Sequence, residues 1–243
     1  MDSPAGGNII VQKEMKFNKP VVIGGFMNQT PLGVLVTSYI VERLNLHQVA
    51  VVKSKYIPPV TVFVGRRMRS PFRIYSNADG TLLVVQSEVP VRSDGLSFLS
   101  ETLMAWLKSL EIKEFAVIDG VPIRDLGRRT AFLVGSADRI KELSSHKIEV
   151  AESAIISGMG GAIINECIMT DVNAIALISP HAMDIPDPDS VLAIVKGLNS
   201  IYKLNIDTGI LEESVNRLHE QLNKISEEYK AAKLEDTDNS MYK

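Results

Sequence analysis

Two short segments that combine polar residues with glycine are the parts of this sequence able to bind a small ligand. The first is Asp119-Gly120, which follows the apolar run at residues 115–118, a predicted strand. Ligand-binding loops of α/β proteins gather after such strands, so Asp119 together with Arg124 could hold a small polar ligand. Asp and Gly are also common turn residues, and a plain turn is the favoured interpretation.

The second segment is Ser157-Gly158-Met159-Gly160-Gly161, which precedes a predicted helix. Backbone N–H groups at a helix N-terminus can cradle an anion. A tight turn and close packing of the helix on a strand explain the same glycines. We favour the packing interpretation.

No pattern typical of a catalytic or metal site occurs in the sequence. There is no phosphate-binding loop ending in Lys-Ser or Lys-Thr, no nucleophile elbow and no zinc-type spacing of His, Cys and carboxylates. The histidines are scattered, and each is interpreted as a surface or hydrogen-bonded residue: His47, His146, His181 and His219. Cys167 lies in a predicted apolar helix and is expected to be a buried small hydrophobic residue. We therefore expect no catalytic residue, no metal and no cofactor.

The end of the chain carries a different kind of recognition element. Met241, Tyr242 and Lys243 offer an apolar side chain, a ring with a hydroxyl group and a free α-carboxylate. Backbone N–H pockets and lysines capture C-terminal carboxylates, so this ending could insert into a socket on a partner. The polar residues 234–240 before it are predicted to form a flexible linker. The alternative is a frayed terminus in which the tyrosine has no role.

Alternating strands and helices must position these segments. Several predicted strands are continuous apolar runs, which is typical of strands that helices cover on both faces. The pattern predicts an α/β fold, a three-layer sandwich with a mixed or mostly parallel sheet. Strands are predicted at residues 20–23, 49–52, 61–64, 72–75, 82–85, 115–118, 131–134 and 174–178. Helices are predicted at about residues 31–44, 96–110, 137–144, 159–170 and 188–202.

The C-terminal part carries the strongest repeat. Apolar residues recur there at alternating spacings of four and three over three heptads: Leu211, Val215, Leu218, Leu222, Ile225, Tyr229 and Ala232. So narrow a stripe favours a coiled-coil seam, either between subunits or with another helix of the same chain. A surface helix in a groove of its own domain is the alternative. The predicted organisation is an α/β domain at residues 1–205, a heptad-patterned helix at 206–234 and a flexible tail at 235–243.

Composition excludes several classes of protein. The 243 residues are 45% hydrophobic and 23% charged, which is enough to bury a large core. The net charge of -3 argues against nucleic-acid binding, and a cluster of arginines is interpreted as a solvated loop or an interface rim: Arg66, Arg67, Arg69 and Arg73. One cysteine fits a reducing compartment, and no apolar run suits a membrane span or a signal peptide. We expect a cytoplasmic protein that binds neither nucleic acid nor membrane.

The domain and the tail together resemble the proteasome assembly chaperone superfamily, over roughly residues 8–205 and on into the helix and tail. Glycines and apolar residues that fix a fold carry the resemblance: Pro20-Val21-Val22-Ile23-Gly24-Gly25-Phe26, then Gly33 with Tyr39, Ile40 and Leu44, the run ISGMGGAIINE at residues 156–166, and Asp187-Pro188-Asp189. The ending Met241-Tyr242-Lys243 is similar to the docking tail of the archaeal PbaB type. That type is therefore a closer match than the PbaA type.

The resemblance implies an oligomeric, ATP-independent partner of the proteasome core particle, with tails that enter pockets between the α-ring subunits. The predicted function is proteasome assembly, proteasome activation or both. Met241, Tyr242 and Lys243 are then the partner-binding residues. The superfamily's domain also resembles nucleoside phosphorylases and hydrolases in fold, so a small-molecule-binding or hydrolytic enzyme is the alternative. Such an enzyme should show a convergent set of acids and bases, and none stands out in the sequence.

Overall fold

A nine-stranded mixed β-sheet forms the centre of the protein in the computed structural model. The structure describes residues 7–64, 66–124, 129–183 and 187–221. The strands, two of which lie outside the main sheet, are β1 (Gly7–Val11), β2 (Val21–Phe26), β3 (His47–Ser54), β4 (Val62–Val64), β5 (Arg67–Arg69), β6 (Phe72–Ser76), β7 (Leu82–Ser87), β8 (Glu114–Ile123), β9 (Phe132–Gly135), β10 (Glu149–Val150) and β11 (Ala174–Ala182). The helices are α1 (Leu32–Arg43), α2 (Leu96–Ser109), α3 (Ala137–Leu143), α4 (Gly158–Met169), α5 (Pro188–Tyr202) and α6 (residues 209–221).

The order of strands across the sheet is β1-β3-β6-β7-β2-β8-β11-β9-β10. The four central strands, β7, β2, β8 and β11, are mutually parallel. Towards one edge all pairs are antiparallel, and towards the other β11–β9 is antiparallel and β9–β10 parallel. Parallel neighbours need crossover connections, which are usually helices packed on the faces of the sheet.

Helices cover both faces of the sheet. α1 and α5 pack over one cluster of buried apolar side chains, and α2 and α4 pack over another. Strand β8 contributes to both clusters: Phe115 and Val117 belong to the core under α2 and α4, whereas Ala116 and Ile118 belong to the core under α1 and α5. All four are at most 1% exposed, because successive strand residues point to opposite faces. The predicted α/β fold with a mixed sheet is confirmed.

The segment predicted as a strand at residues 61–64 is not part of the main sheet. It contains β4, which pairs with β5 in a separate two-stranded hairpin. The sequence pattern misses three strands, β1, β5 and β10. β5 is the sequence Arg-Met-Arg and β10 has only two residues, so neither carries the apolar run that identifies a buried strand.

Arg73 corrects the interpretation of the arginine cluster as a solvated loop or a rim. Its side chain is 1% exposed, and its Nη2 lies 2.7 Å from Oε1 of Glu88. Its Nε donates a hydrogen bond to the hydroxyl oxygen of Tyr75 at 2.6 Å. A buried guanidinium needs such partners because an uncompensated buried charge is strongly destabilising. Arg66 and Arg67, in contrast, are exposed.

Helix α1 approaches the sheet through glycines. A Cβ atom on Gly25 of β2 would overlap the carbonyl oxygen of Gly33 in the first turn of α1. A Cβ atom on Gly33 would lie 2.8 Å from the carbonyl oxygen of Ile118 and 2.9 Å from the amide nitrogen of Phe26. The backbone of α1 therefore rests directly on the backbones of β2 and β8, which only glycine permits.

We expect Gly33→Ala to destabilise the protein by roughly 1–3 kcal/mol, because the added methyl group must push α1 away from β2 and β8. Gly197 in α5 is a matched control, since a Cβ atom there would lie 3.6 Å from its nearest neighbour, an ordinary contact. Gly197→Ala should be neutral or stabilising by up to about 1 kcal/mol, because Ala is the better helix former. Urea denaturation measures both changes in the free energy of unfolding. Wild-type stability of Gly33→Ala would contradict the tight crossing.

Candidate functional site

The carboxyl ends of the central parallel strands form the edge of the sheet where α/β proteins bind ligands. The chain leaves β2 towards β3 on one side of the sheet and leaves β8 towards β9 on the other. The crevice expected from this change of direction lies between β2 and β8. Three polar residues stand there: Asn28 follows β2, Asp119 lies in the last half of β8, and Ser157 precedes α4.

The side chain of Asn28 joins these residues. Its amide nitrogen lies 3.1 Å from Oδ2 of Asp119 and 3.3 Å from both the hydroxyl and the carbonyl oxygen of Ser157. The backbone N–H of Gly120 donates to Oδ1 of Asp119 at 2.9 Å. Burial raises the pKa of the Asp119 carboxyl, and the hydrogen bonds from Gly120 and Asn28 oppose that shift. The two segments selected from the sequence thus meet through Asn28, which sequence reasoning did not single out.

The same geometry favours packing over anion binding at the glycine segment. Gly158 has a φ angle of 63°, and a Cβ atom there would lie 2.9 Å from Oδ1 of Asn28. A Cβ atom on Gly161 would overlap the carbonyl oxygen of Ile156. The carboxylate of Asp119 is one side chain away, and its negative charge disfavours an anion at this helix terminus. The glycines are explained by the close approach of α4 to its surroundings.

Arg124 does not join this cluster. It is exposed immediately after β8, whereas Asp119 lies five residues earlier in the same extended strand. Five extended residues span roughly 17 Å, which is more than one arginine side chain can bridge. The ligand-holding pair Asp119 and Arg124, considered from the sequence, is therefore not formed.

A second polar cluster ties the end of β11 to the start of α5. Nε of Arg129 lies 2.8 Å from Oδ2 of Asp187, and both side chains are 3% exposed. Asp187 also accepts hydrogen bonds from the backbone N–H groups of Ala182 and Ser190. It caps α5, with Pro188 in the first turn. Breaking a buried ion pair leaves an uncompensated charge and strongly destabilises the fold, so we interpret this cluster as structural.

His181 completes this cluster. Its side chain is 3% exposed, and its Nδ1 lies 2.6 Å from the hydroxyl oxygen of Ser190. That hydroxyl donates its single proton to the carbonyl oxygen of Asp187 at 2.9 Å, so the Nδ1–H of His181 donates to Ser190. Burial lowers the pKa of His181, the charge of Asp187 opposes the shift and that of Arg129 adds to it. The imidazole is consequently neutral at pH 7.

Other groups that could carry chemistry are dispersed. Cys167 is fully buried, and burial raises the pKa of its thiol to about 12, so the predicted role as a small hydrophobic residue is confirmed. Among the residues that the structure describes, no group of three or more His, Cys, Asp or Glu is placed to hold a metal ion. In the same ranges, no helix has the length and hydropathy that crossing a membrane requires.

The start of α6 packs on its own chain. Leu211 and Val215, the first two residues of the predicted heptad seam, are 8% and 7% exposed and belong to the core shared with α1 and α5. Nζ of Lys196 in α5 lies 2.9 Å from Oε1 of Glu212. This is the arrangement in which the helix packs against helices of the same chain, one of the possibilities that the sequence left open.

A shallow apolar groove continues beyond this contact. Leu218 is half-buried and lines the groove with Leu35, Tyr39 and Val191 of α1 and α5. The later seam residues lie outside the described residues: Leu222, Ile225, Tyr229 and Ala232. The same holds for the tail residues Met241, Tyr242 and Lys243. The intersubunit seam and the docking tail therefore stay predictions.

The structure is that of an α/β protein in which the polar groups at the strand ends bind loops of the same chain. A further helix, α6, packs on the surface of the domain. Residues 22–226 match the PAC2 family, and the chain belongs to that family. It is also similar to a protein of unknown function from Thermoplasma acidophilum, with 43% sequence identity over 91% of this chain and 92% of the other, and a TM-score of 0.77.

Two structures from Pyrococcus furiosus share the fold at lower sequence identity. PbaA, an archaeal homologue of a proteasome-assembly chaperone, is 20% identical over 98% of this chain and 100% of its own, with a TM-score of 0.79. PbaB, an archaeal proteasome activator, is 18% identical over 92% of this chain and 100% of its own, with a TM-score of 0.78. The two TM-scores are nearly equal, so overall fold does not distinguish the PbaA type from the PbaB type.

We expect nucleosides, nucleotides and inorganic phosphate to produce neither turnover nor a rise in melting temperature. Asn28 and Asp119 already satisfy each other, so the crevice offers a ligand few free polar groups. Thermal scans with each compound provide the measurement, because a ligand that binds the native state stabilises it. A rise in melting temperature that Asp119→Asn abolishes would instead identify the crevice as a binding site.

Proposed function

We propose that this protein binds the proteasome core particle by docking Met241, Tyr242 and Lys243 into pockets between the subunits of the α-ring. In that role it would serve proteasome assembly, ATP-independent activation or both, in the cytoplasm. Membership of the PAC2 family and the fold shared with PbaA and PbaB support a proteasome-related role. The observation that carries the docking proposal is the hydrophobic–Tyr–X ending on a chain of this family.

Each tail residue has a distinct role in the proposed contact. The side chain of Met241 fills an apolar notch, and the ring of Tyr242 inserts beside it with its hydroxyl group as a donor. The α-carboxylate of Lys243 pairs with a cation or with backbone N–H groups of the socket. Because the carboxylate exists only at the chain end, the site requires this register of residues relative to the terminus.

The anchored start of α6 supports the proposal because it defines where the tail begins. If the heptad helix continues from residue 221 to residue 234, those thirteen residues add roughly 20 Å of length. The nine residues that follow add at most about 30 Å when fully extended. A tail of this reach can enter a socket well away from the α/β domain.

Several tails on one assembly would make the contact effective. A single short segment loses conformational entropy when it docks and binds weakly. Tails presented together raise the effective concentration of one another, provided that their linkers span the distance between sockets. We therefore propose a homo-oligomer, with the later part of the heptad seam packing between subunits.

Within the family we propose the PbaB type, that is, a direct activator rather than solely an assembly factor. The tail ending supports this choice. Addition of the full-length protein to purified core particles should then increase hydrolysis of a fluorogenic peptide. An effect on the assembly of α-subunits without any effect on peptide hydrolysis would favour the PbaA type instead.

Three changes at the tail are expected to weaken core-particle binding by roughly 100-fold or more, because each removes a docking contact that every tail of the assembly would make. These are deletion of residues 241–243, Tyr242→Ala and addition of one glycine after Lys243. The added glycine is the sharpest test, since it keeps every side chain and displaces only the carboxylate. Pull-down with core particles and binding titration provide the measurement.

Asn239→Ala is the matched control, because it changes the linker and leaves the last three residues intact. Its affinity should equal that of the unmodified protein. All variants should keep the same melting temperature, since the changes lie outside the predicted α/β domain at residues 1–205. Full binding by all three tail variants would show that the tail is not the docking element.

Leu218→Asp combined with Ile225→Asp should reduce the mass of the assembly, because carboxylates in an apolar seam are costly to desolvate. Ile210→Asp is the matched control, since Ile210 is on the same helix and is 49% exposed. Light scattering measures the mass, and circular dichroism checks that the domain is folded. An unchanged mass of the double variant would place the seam within the chain and not between subunits.

A further inference from the structure

The hairpin of β4 and β5 exposes large apolar side chains. Phe63 lies opposite Met68 in the hairpin register, and the two residues are 70% and 75% exposed. Arg66 and Arg67 at the turn are exposed as well. Residues 57–78 contain no Asp or Glu, so the hairpin and the segments that flank it carry only positive side chains. We refer to Phe63, Met68, Arg66 and Arg67 as the hairpin surface.

A second exposed apolar surface lies beside α4. Ile155 is 98% exposed, Ile168 is 72% exposed and Met169 is 69% exposed. A cavity of about 530 Å³ adjoins them, between α4, the end of β9 and the start of β11, and its apolar lining includes Val134, Ile156, Ile164, Ile168 and Val172. We refer to the cavity and these exposed residues as the α4 surface.

The α4 surface is acidic where the hairpin surface is basic. Asp171 lines the cavity, and Glu149 and Glu152 lie exposed in the segment that leads into it. Residues 148–173 contain no Lys, Arg or His. Exposed apolar side chains rimmed by charge are typical of protein interaction sites, and the opposite signs make these two surfaces complementary.

The two surfaces do not cover each other within one chain. The hairpin leaves the sheet between β3 and β6, whereas the cavity lies under β11 and β9, four or more strand positions away. Four strand spacings amount to roughly 19 Å. The high exposure of Phe63, Met68 and Ile155 shows that neither surface covers the other within one chain.

We propose that the hairpin surface of one copy of this protein docks on the α4 surface of a second copy. Phe63 and Met68 enter the apolar cavity, while Arg66 and Arg67 face the acidic residues at its rim. Because one chain carries both complementary surfaces, they are present in equal number in any assembly of this protein. A second copy accounts for both surfaces, whereas a small-molecule ligand in the cavity would not account for the exposed hairpin surface.

In the proposed assembly the contact is head-to-tail: each subunit places its hairpin surface on one neighbour and receives the hairpin surface of another on its α4 surface. Each pair of subunits then keeps one free hairpin surface and one free α4 surface, so association continues past two copies until the assembly closes. The contact is separate from the heptad seam and does not require the proteasome. Loss of the contact removes none of the tail residues, so cross-linking between copies and pull-down with core particles test the two proposals separately.

Cysteine cross-linking in the full-length protein tests the contact. Met68→Cys and Ile155→Cys are placed in two differently tagged copies that are co-expressed and oxidised. Cys167 does not compete, because it is fully buried and burial raises the pKa of its thiol to about 12. We expect disulfide-linked dimers that carry both tags and few dimers from either variant expressed alone.

The control replaces Met68→Cys with Ile10→Cys, on the edge strand β1, where Ile10 is 41% exposed. This control should not cross-link to Ile155→Cys. Cross-linking of Met68→Cys mainly to itself would overturn the head-to-tail contact in favour of a symmetric one. Absence of any cross-link between Met68→Cys and Ile155→Cys would overturn the second copy as the occupant.

Charge reversal gives an independent measurement. Arg66→Glu with Arg67→Glu, and separately Glu149→Lys with Glu152→Lys, should each lower the mass seen by light scattering. Mixing the two proteins should restore the mass, because reversed hairpins then meet reversed α4 surfaces. Lys13→Glu with Lys16→Glu, at two exposed lysines that follow the edge strand β1, is the control and should change nothing. Unchanged mass of both reversed proteins would overturn the proposal.

Discussion

Close backbone contact between β2 and α1 sets the position of the helix and of the loop that leads into it. With hydrogen atoms as the only side chains of Gly25 and Gly33, the first turn of α1 rests on the backbones of β2 and β8. This contact fixes the height of α1 above the sheet. It also fixes the β2–α1 loop, in which Thr30 is buried and Asn28 faces Asp119. The position of α1 in turn decides where α5 and α6 can pack.

Polar side chains at the carboxyl ends of the strands join the loops there to the helices. Asn28 links the ends of β2 and β8 to the start of α4, and Asp187 with Arg129 links the end of β11 to α5. In many α/β enzymes the corresponding edge carries the catalytic groups, but a fold does not dictate chemistry. Here these side chains form hydrogen bonds and an ion pair within the chain. Because they already have partners, the proposed function relies on exposed surfaces and on the tail, and not on a pocket at the strand ends.

Recognition by such a protein depends on how its surfaces are arranged. The start of α6 is anchored through Leu211 and Val215 in the core. In the proposed assembly, the contact between the hairpin and α4 surfaces would repeat this anchor in every subunit. Weak docking of one tail would then become strong docking of several, which would link self-association to partner binding through effective concentration.

Residue type and spacing are enough to predict the elements whose signals are local. The apolar run of β8, the capping pair Asp187-Pro188 of α5 and the burial of Cys167 all follow from residue type and spacing over a few positions. The folded chain brings Asn28 into hydrogen-bonding distance of Asp119 and Ser157, which sequence patterns do not reveal because these partners lie 91 and 129 residues away. It likewise placed β4 outside the sheet. Periodicity encodes which face of an element is buried, whereas the partner across a contact depends on how distant segments meet.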